Sequence, residues 1–141
     1  MQVFIASDHA GFGLKEFVKK VLVERGLEVC DLGADSQERV DYPDFAQKLC
    51  ERVLATPESR GVLICGSGIG MSIAANRFSG IRAALCTDSY LAKMARLHND
   101  ANVLCMGERV IGQGEAEEIV AQFFSAEFEG GRHIERVRKL G

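Results

Sequence analysis

The segment GVLICGSGIGMSIAANRFSGIRAALC, residues 61–86, carries the pattern that decides the fold. An apolar strand is predicted over Val62 to Cys65, a helix over Met71 to Phe78, and a second apolar strand over Ala83 to Cys86. A strand, a crossing helix and another strand in this order form a βαβ unit, whose two strands run parallel. The segment therefore predicts a parallel sheet covered by helices.

The same alternation continues on both sides of this segment. Further strands are predicted over Val3 to Ala6, Leu27 to Cys30 and Val103 to Met106. Further helices are predicted over Phe12 to Arg25, Pro43 to Leu54, Ser89 to Leu97 and Glu115 to Phe124, and a short basic helix follows Gly130 and Gly131. We therefore expect an α/β protein with a five-stranded parallel sheet and a C-terminal helix.

The first helix has the clearest amphipathic pattern. Its apolar positions are Leu14, Val18, Val21 and Leu22, and the charged positions on its other face are Lys15, Glu16, Lys19 and Lys20. Apolar residues at this spacing share one side of a helix, so we expect that side to cover one face of the sheet. Gly26 is placed to end this helix, and Pro43 suits the first turn of the second helix.

Size and charge narrow the class of protein. The chain has 141 residues and a mass of 15.4 kDa, so we expect a single domain over residues 1–141. Its 17 basic and 20 acidic residues give a formal net charge of -3, which argues against nucleic acid and anionic membranes as partners. The longest uncharged stretch, residues 61–76, contains glycines and serines and is shorter than the roughly 20 apolar residues of a membrane helix. The N-terminus has no basic, apolar leader, so a cytoplasmic location is expected.

The charge is unevenly distributed. The C-terminal segment GGRHIERVRKLG, residues 130–141, has four basic residues and one acidic residue, a net charge of +3. The other 129 residues carry 13 basic and 19 acidic side chains, a net charge of -6. Arg132 and Arg136 are four apart, so a helix places both guanidinium groups on one face, a geometry that suits bidentate capture of a phosphate. A solvated basic tail is the alternative.

Cys65 differs from the other cysteines in its sequence position. It ends an apolar strand and precedes a helix, so its sulfur lies near the positive end of that helix and could act as a nucleophile or as a base in proton transfer. The other cysteines, expected to be small buried residues, are Cys30, Cys50, Cys86 and Cys105. Five widely spaced cysteines without a C-x-x-C pair suggest neither a disulfide framework nor a zinc knuckle.

Gly66, Gly68 and Gly70 alternate in the turn after Cys65. Glycines let backbone N–H groups approach an anion closely, and the following helix adds its positive end, so the turn suits an oxyanion or a phosphate. It is not a P-loop, which requires a lysine, and its G-x-G-x-G spacing misses the dinucleotide-binding pattern. A tight structural turn is the alternative.

Two more places carry candidate polar side chains. Asp8 and His9 follow the first strand, where ligands bind in parallel sheets, although Asp8 could instead cap a helix. His98 ends the fourth helix, where its positive charge could simply stabilise the negative end of the helix dipole. Asn99 beside it could be a turn former. Arg109 follows the fifth strand. We expect these residues to share one edge of the sheet with the glycine-rich turn.

Metal chemistry has little support in the sequence. The three histidines, His9, His98 and His133, are scattered, and neither an H-E-x-x-H sequence nor a carboxylate triplet with ligand spacing occurs. A G-x-S-x-G elbow is also missing, which argues against a serine hydrolase. We therefore expect no metal.

Five segments carry a resemblance to a known family. They are ASDHAGFGLK (6–15), DYPDFA (41–46), GVLICGSGIGMSIAANRFSGIRAALC (61–86), ARLHNDANVLCMGERVIG (95–112) and EGGRHIERV (129–137). In order and spacing they closely resemble the ribose-5-phosphate isomerase B family, which includes subunits of galactose-6-phosphate isomerase. The resemblance implies a three-layer αβα sandwich with a Rossmann-like sheet, and a homodimer or dimer of dimers. It also implies cofactor-free interconversion of ribose 5-phosphate and ribulose 5-phosphate in the pentose phosphate pathway.

The resemblance also implies roles for individual residues. It makes Cys65 the base and His98 the acid that opens the sugar ring. The anion hole for the enediolate would be Gly66, Ser67, Gly68, Ile69 and Gly70. Sugar hydroxyls or phosphate would be held by Asp8, His9, Tyr42 and Asn99, and the phosphate also by Arg109, Arg132 and Arg136. One branch of the family has a glutamate base where this chain has Met71, which favours Cys65. Ser67 stands where many members have threonine, and its hydroxyl is expected to relay protons between the two substrate oxygens.

Two alternatives are open at the level of sequence. Within the family, the substrate could be a six-carbon sugar phosphate such as allose 6-phosphate or galactose 6-phosphate. The alternative of another class is a non-catalytic phosphate- or nucleotide-sensing module, which would show no turnover dependent on Cys65. Because 141 residues offer no second lobe to close over a substrate, we expect a second copy of the chain to complete the site.

Overall fold

The computed structural model describes residues 1–141 and contains one five-stranded sheet in which all strands are parallel. The strands are β1 (Gln2–Ser7), β2 (Glu28–Asp31), β3 (Arg60–Cys65), β4 (Ala83–Leu85) and β5 (Val103–Gly107). Their order in the sheet is β2-β1-β3-β5-β4. The five strands predicted from the sequence and their parallel pairing are confirmed.

Helices cover both faces of the sheet. They are α1 (Phe12–Glu24), α2 (Tyr42–Ala55), α3 (Ile69–Ala75), α4 (Ser89–Asn99), α5 (Gln113–Ser125) and α6 (His133–Arg138), with a 3-10 turn at His9–Gly11. The apolar sides of α1, α4 and α5 form one core with the sheet, and those of α2 and α3 form a second core on its other face. The αβα sandwich with a C-terminal helix is confirmed. No helix combines the length and apolar character needed to cross a membrane.

Successive residues of the central strands alternate between the two cores. Ile5 and Ile64 pack in the core with α1, whereas Ala6, Leu63 and Cys65 pack in the core with α2 and α3. Because both faces are covered, these strands are apolar along nearly their whole length, as expected of a parallel sheet. Cys65 therefore ends β3 on the face that carries α3.

The strand order places a crevice at the carboxyl ends of β1 and β3. The chain passes from β1 to β2 on one side, and then returns past β1 to β3 on the other side, so these two strands form the switch point of the sheet. Ligands in such sheets bind outside the carboxyl ends of the strands at this point. Ser7 pairs in register with Ile64, so Asp8 and Cys65, the next residues along the two strands, stand side by side at the crevice.

The third helix differs most from its prediction, which the sequence pattern places at Met71 to Phe78. Gly68 adopts a left-handed conformation with φ of 81°, and α3 begins directly after it. At the other end, the Asn76 side chain pairs with the backbone of Ala83 in β4. Its Nδ2 donates to the Ala83 carbonyl at 2.9 Å, and its Oδ1 accepts from the Ala83 N–H at 2.8 Å. This link to the sheet replaces the predicted last turn.

The charged side of α1 also differs from expectation. Gly26 ends this helix as predicted, with φ of 80°, but the Lys15 side chain on the charged side is fully buried. Its Nζ donates to Asp31 Oδ2 at 2.6 Å and to Glu16 Oε1 at 3.1 Å. A buried ammonium requires such partners. Since Asp31 ends β2, helical periodicity alone could not show this contact.

Candidate active site

A cleft of about 570 Å³ opens at the carboxyl ends of β1, β3 and β5. The predicted site residues that line it are Asp8, His9, Tyr42, Cys65, Gly66, Ser67, Ile69, Gly70 and Arg109. Ala10, Ile73 and Val110 complete the lining. The structure thus brings a thiol, an imidazole, a carboxylate, a phenol and a guanidinium to one opening.

Cys65 lies at the bottom of this cleft and is 5% exposed. The glycine-rich turn wraps around its sulfur, and the Gly68 N–H donates to Cys65 Sγ at 3.2 Å. The sulfur therefore sits at the N-terminus of α3, as the sequence predicts. Gly68, which is predicted to belong to the anion hole, does not line the cleft, and its N–H is already bound to the Cys65 sulfur.

Burial raises the pKa of three of the other four cysteine thiols. Burial, with a smaller effect of the Glu51 carboxylate, raises the pKa of Cys50 to about 12. Burial, with Asp88 nearby, raises the pKa of Cys86 to about 12 as well, and complete burial raises the pKa of Cys105 well above its ordinary value. These three thiols are therefore uncharged at neutral pH. Their expected burial is confirmed, whereas Cys30 is only half-buried.

The glycine-rich turn presents three unpartnered backbone donors. The N–H groups of Gly66, Ser67 and Gly70 donate to no other protein group. The two remaining N–H groups of the turn are used within it, since Gly68 donates to the Cys65 sulfur and Ile69 donates to Ser67 Oγ at 3.2 Å. The turn can therefore bind an anion with three of the five N–H groups.

Two of these glycines permit close approach of larger side chains. A Cβ on Gly70 would lie 2.6 Å from Tyr42 Cε1, so the Tyr42 ring rests directly on the Gly70 backbone. A Cβ on Gly66 would lie 3.1 Å from Arg109 Nη1. The Arg109 N–H also donates to the Gly66 carbonyl at 3.0 Å. Glycine at these two positions keeps the phenol and the guanidinium beside the free N–H groups.

Asp8 and His9 are held by different parts of the chain. Asp8 Oδ1 accepts from the N–H groups of Ala10 and Gly11 at 3.0 and 3.1 Å, so Asp8 caps the 3-10 turn while also lining the cleft. His9 Nδ1 lies 3.2 Å from both the carbonyl oxygen and the backbone nitrogen of Val40. This contact anchors the ring through Nδ1 and leaves Nε2 available to a ligand.

Besides Gly68, four predicted site residues do not line the cleft. They are His98, Asn99, Arg132 and Arg136. A helix that connects parallel strands runs antiparallel to them, so α4 ends at the amino edge of the sheet, where the strands begin. Asp100, directly after α4, shares a second cleft with Met1 and Arg60, at the starts of β1 and β3. The expectation that His98 and Asn99 share an edge with Cys65 is therefore wrong within one chain.

Two of the three histidines meet at this amino edge. The rings of His98 and His133 stack with centroids 4.3 Å apart and planes 15° apart, and His98 Nε2 lies 3.4 Å from Glu129 Oε1. The expectation of scattered histidines is wrong for this pair. It fails because the chain returns to the end of α4 after α5, where the Glu129 N–H donates to the Leu97 carbonyl at 3.0 Å.

The predicted phosphate-binding arginines lack carboxylate partners. Arg109, Arg132 and Arg136 are exposed and form no ion pair, whereas Arg138 is bound to Glu135 at 2.6 Å. This difference agrees with the helical geometry, which separates Arg138 from Arg136 in α6 and from Arg132, the residue that caps this helix.

Two apolar residues at the cleft were not found from the sequence. Ile73 and Val110 are 59% and 54% exposed, and Ile69 beside them is 52% exposed. Ile69 and Ile73 are four apart and lie outside the core pattern of α3. An apolar pair at helical spacing without a place in the core is a signal that could have indicated a covered surface.

Known proteins are similar to this chain along nearly its whole length. A family model described as Ribose/Galactose Isomerase matches residues 3–140. Ribose-5-phosphate isomerase B of Escherichia coli is 47% identical over 139 residues, which cover 99% of this chain and 93% of that protein. D-erythrulose-4-phosphate isomerase of Pectobacterium atrosepticum is 42% identical over 142 residues, with coverage of 100% and 93%.

Solved structures show the same similarity in three dimensions. Ribose-5-phosphate isomerase B of Clostridium thermocellum has a TM-score of 0.97 and 53% identity, covering 100% of this chain and 95% of that chain. Ribose-5-phosphate isomerase B of Mycoplasma genitalium, solved with bound ribulose-5-phosphate, has a TM-score of 0.94 and 40% identity, with coverage of 99% and 93%.

Proposed function

The chain belongs to the ribose/galactose isomerase family, and from that membership we propose that it is an aldose–ketose isomerase that interconverts D-ribose 5-phosphate and D-ribulose 5-phosphate. The observation that supports this most directly is the content of the cleft. The Cys65 thiol, three free backbone N–H groups and the Arg109 guanidinium meet at one opening. Moving a proton between neighbouring carbons of a sugar phosphate requires a base, an anion hole and a phosphate anchor.

In this mechanism, the Cys65 thiolate removes the proton from the carbon next to the carbonyl. The electron pair of the broken C–H bond moves toward the carbonyl oxygen and gives an enediolate. The same proton then returns from sulfur to the neighbouring carbon, so no electrons are gained or lost overall. Ser67 Oγ, which accepts the Ile69 N–H, keeps its own O–H to relay a proton between the two oxygens.

The anion hole is needed because a carbon next to a carbonyl is a much weaker acid than a thiol. A base alone would therefore transfer the proton too slowly. The N–H groups of Gly66, Ser67 and Gly70 are fixed before the substrate arrives, and each well-placed donor of this kind contributes roughly 3 to 4 kcal/mol to transition-state stabilisation.

A phosphate far from the reacting carbons supplies binding energy that positions them against the thiol. Arg109 lies in the cleft and forms no ion pair with a carboxylate, so its guanidinium is available to bind the phosphate. Arg132, directly before α6, and Arg136, within it, are equally unpaired and exposed. Guanidinium groups bind phosphate oxygens in a bidentate manner, which fixes orientation as well as charge.

A second copy of the chain would supply the residues that the cleft lacks. The four site residues at the amino edge would enter the cleft of a partner in a homodimer or in a dimer of dimers. There, His98 would open the sugar ring, and Asn99 would hold a hydroxyl. The exposed apolar side chains of Ile69, Ile73 and Val110 support this arrangement, because a partner would cover them.

A different sugar phosphate is the second candidate substrate. One relative is named as an isomerase of D-erythrulose 4-phosphate, so members of the family act on sugar phosphates with different numbers of carbon atoms. The cleft described here belongs to a single chain, and its far end would be formed by the partner.

A non-catalytic phosphate module is less well supported, because it has no need of a thiol at the anion site. The single domain over residues 1–141 and the cytoplasmic location stay predictions.

The proposed function is tested by Cys65→Ala and Cys65→Ser. Both variants are expected to lose turnover of ribose 5-phosphate while keeping their affinity for the sugar phosphate, because the phosphate contacts are unchanged. Cys30→Ala, a half-buried cysteine outside the cleft, is the matched control and should retain activity. Full activity in Cys65→Ala would overturn the mechanism. In the wild type, a higher kcat/KM for allose 6-phosphate than for ribose 5-phosphate would overturn the substrate assignment.

A further inference from the structure

His98, Glu129 and His133 form a compact group of ligating side chains at the amino edge. One ring nitrogen of each histidine and one carboxylate oxygen of Glu129 all lie within 4.8 Å of one another. His133 is only 5% exposed, and its Nε2 is buried without a hydrogen-bond partner. Buried polar atoms are nearly always partnered, so a buried ring nitrogen with no partner within the chain is available to bind a ligand.

We propose that these three residues bind a divalent transition-metal cation, with zinc as the best fit. Two imidazoles and one carboxylate form a ligand set that zinc uses in sites that keep a fourth position open for water or another molecule. Imidazole nitrogen suits zinc, copper and nickel, whereas magnesium and calcium prefer sites made of oxygen atoms. The histidine pair therefore selects against the hard cations.

The geometry fits zinc after one movement. Bonds of roughly 2.0 to 2.2 Å place neighbouring donors of a tetrahedral site about 3.4 Å apart, which matches the 3.4 Å between His98 Nε2 and Glu129 Oε1. The two imidazole rings are stacked, so the His98 ring must turn before both rings can point at one ion. His98 and Glu129 have side chains that are 37% and 48% exposed and are able to move, whereas His133 is held in place by burial.

Zinc at this position would keep His98 away from the sugar. This consequence rests on the proposed function, in which His98 opens the sugar ring in the partner's cleft. Cation binding itself does not depend on that function. We expect zinc to inhibit turnover and a chelator to restore it.

Binding is tested by calorimetric titration of the full chain with Zn²⁺. The wild type should bind one zinc ion per chain. Glu129→Gln should weaken binding by at least about tenfold, since loss of a group that only orients a ligand already costs about 10- to 100-fold. His133→Asn should weaken it similarly. Glu127→Gln is the matched control, because it removes an exposed carboxylate two residues away and should bind zinc like the wild type.

Zinc could also bind to a cysteine thiolate instead of the proposed site. Titration with Co²⁺ in place of zinc distinguishes these two binding sites. A site of nitrogen and oxygen ligands shows no thiolate-to-cobalt charge-transfer absorption, whereas cobalt bound to Cys65 or Cys30 would show it. Titration of Cys65→Ser is expected to give the same cobalt spectrum and the same zinc affinity as the wild type.

The possible results test the metal site and the proposed function independently. Absence of zinc binding, equal binding by wild type and Glu129→Gln, or a thiolate band with cobalt would each overturn the site. Glu129 is exposed, so this variant is expected to fold, and its unfolding temperature without metal checks that. Inhibition is measured against each protein's own metal-free rate, and equal inhibition of Glu129→Gln would refute the link to His98. If the chain showed no isomerase activity, calorimetry would still decide the metal site.

Discussion

Gly68 determines how the Cys65 thiol is presented. The N–H that donates to the sulfur depends on a φ of 81°, which residues other than glycine rarely adopt. A Cβ on Gly68 would also lie 2.5 Å from Leu85 Cδ1 and 2.8 Å from the Met106 carbonyl carbon. The sequence shows a thiol followed by glycines. It does not show that one N–H turns back onto the sulfur, because that depends on φ and on contacts with distant strands.

Gly70→Ala is predicted to lower kcat/KM by about tenfold or more. The new Cβ would lie 2.6 Å from the Tyr42 ring, which must then move from the cleft, and a displacement of about 1 Å at an active site can cost about 100-fold. Steady-state kinetics with ribose 5-phosphate measure the effect. Gly114→Ala in α5 is the matched control, because its Cβ would meet nothing within 4 Å. Equal kcat/KM for Gly70→Ala and the wild type would show that contact between Tyr42 and the turn is dispensable.

At the scale of elements, the end of α4 shows what periodicity misses. The sequence pattern ends this helix at Leu97, whereas the structure ends it at Asn99. The next residue, Asp100, has φ of 47°, and its carbonyl accepts from Arg82 Nε at 3.1 Å and Nη2 at 2.8 Å. Its Oδ1 accepts from Arg96 Nη1 at 2.9 Å. Because Arg82 lies outside the helix, just before β4, the helix end is set by tertiary contacts that no local pattern contains.

The contact between α1 and β2 should make stability depend on acid pH. Burial would raise the pKa of Asp31, but hydrogen bonds from Lys15, Lys19 and the Gly33 N–H together lower it below the ordinary value of 3.8. A carboxyl with a lowered folded-state pKa contributes stability above its unfolded pKa and loses it as the pH falls through the folded value. We expect Asp31→Asn to unfold more easily than the wild type at neutral pH, and the difference to shrink below pH 3.8.

Denaturant unfolding of both proteins at neutral and acid pH measures this difference. Glu38→Gln is the control, because Glu38 is exposed and forms no ion pair. Its free energy of unfolding should stay close to that of the wild type throughout. A stability difference between wild type and Asp31→Asn that does not change with pH would mean that the ion pairs are not its source.

For the whole molecule, the alternation of strands and helices was sufficient to predict the sheet and the place of Cys65. Parallel strands covered on both faces must be apolar throughout, and this pattern is visible in a single sequence. A second copy of the chain was expected to complete the site, but His98 and Asn99 were expected at the edge that holds Cys65. Their place at the amino edge follows from the same alternation once the direction of α4 is considered. The burial of Lys15 could not be predicted, because its partner is supplied by another element.

If His98 enters the cleft of a partner as proposed, two inactive variants should restore activity when combined. Cys65→Ala would remove the proposed base from the cleft, and His98→Asn would remove the proposed acid from the amino edge, so a mixed dimer would keep one complete site. Random mixing during joint refolding is expected to recover about a quarter of wild-type activity, since half of the dimers are mixed and each has one working site of two. Turnover of ribose 5-phosphate measures the recovery.

The control for this experiment combines Cys65→Ala with Arg109→Ala. Both changes lie at the same edge, so every site of a mixed dimer lacks one of the two groups, and no recovery is expected. Failure of the first mixture to regain activity, with mixed dimers shown to be present, would mean that His98 and Cys65 do not act across two chains.

Each copy of the chain has both a cleft and an amino edge, and their arrangement decides whether assembly stops. Head-to-tail contacts would cover each cleft with the edge of the next copy, and they give a ring where the rotation between copies closes and an open filament where it does not. A twofold axis lets two copies exchange edges, so that every contact made once is made again in reverse. In the proposed homodimer, assembly would close at two copies, and each chain would cover the sugar phosphate that its neighbour binds.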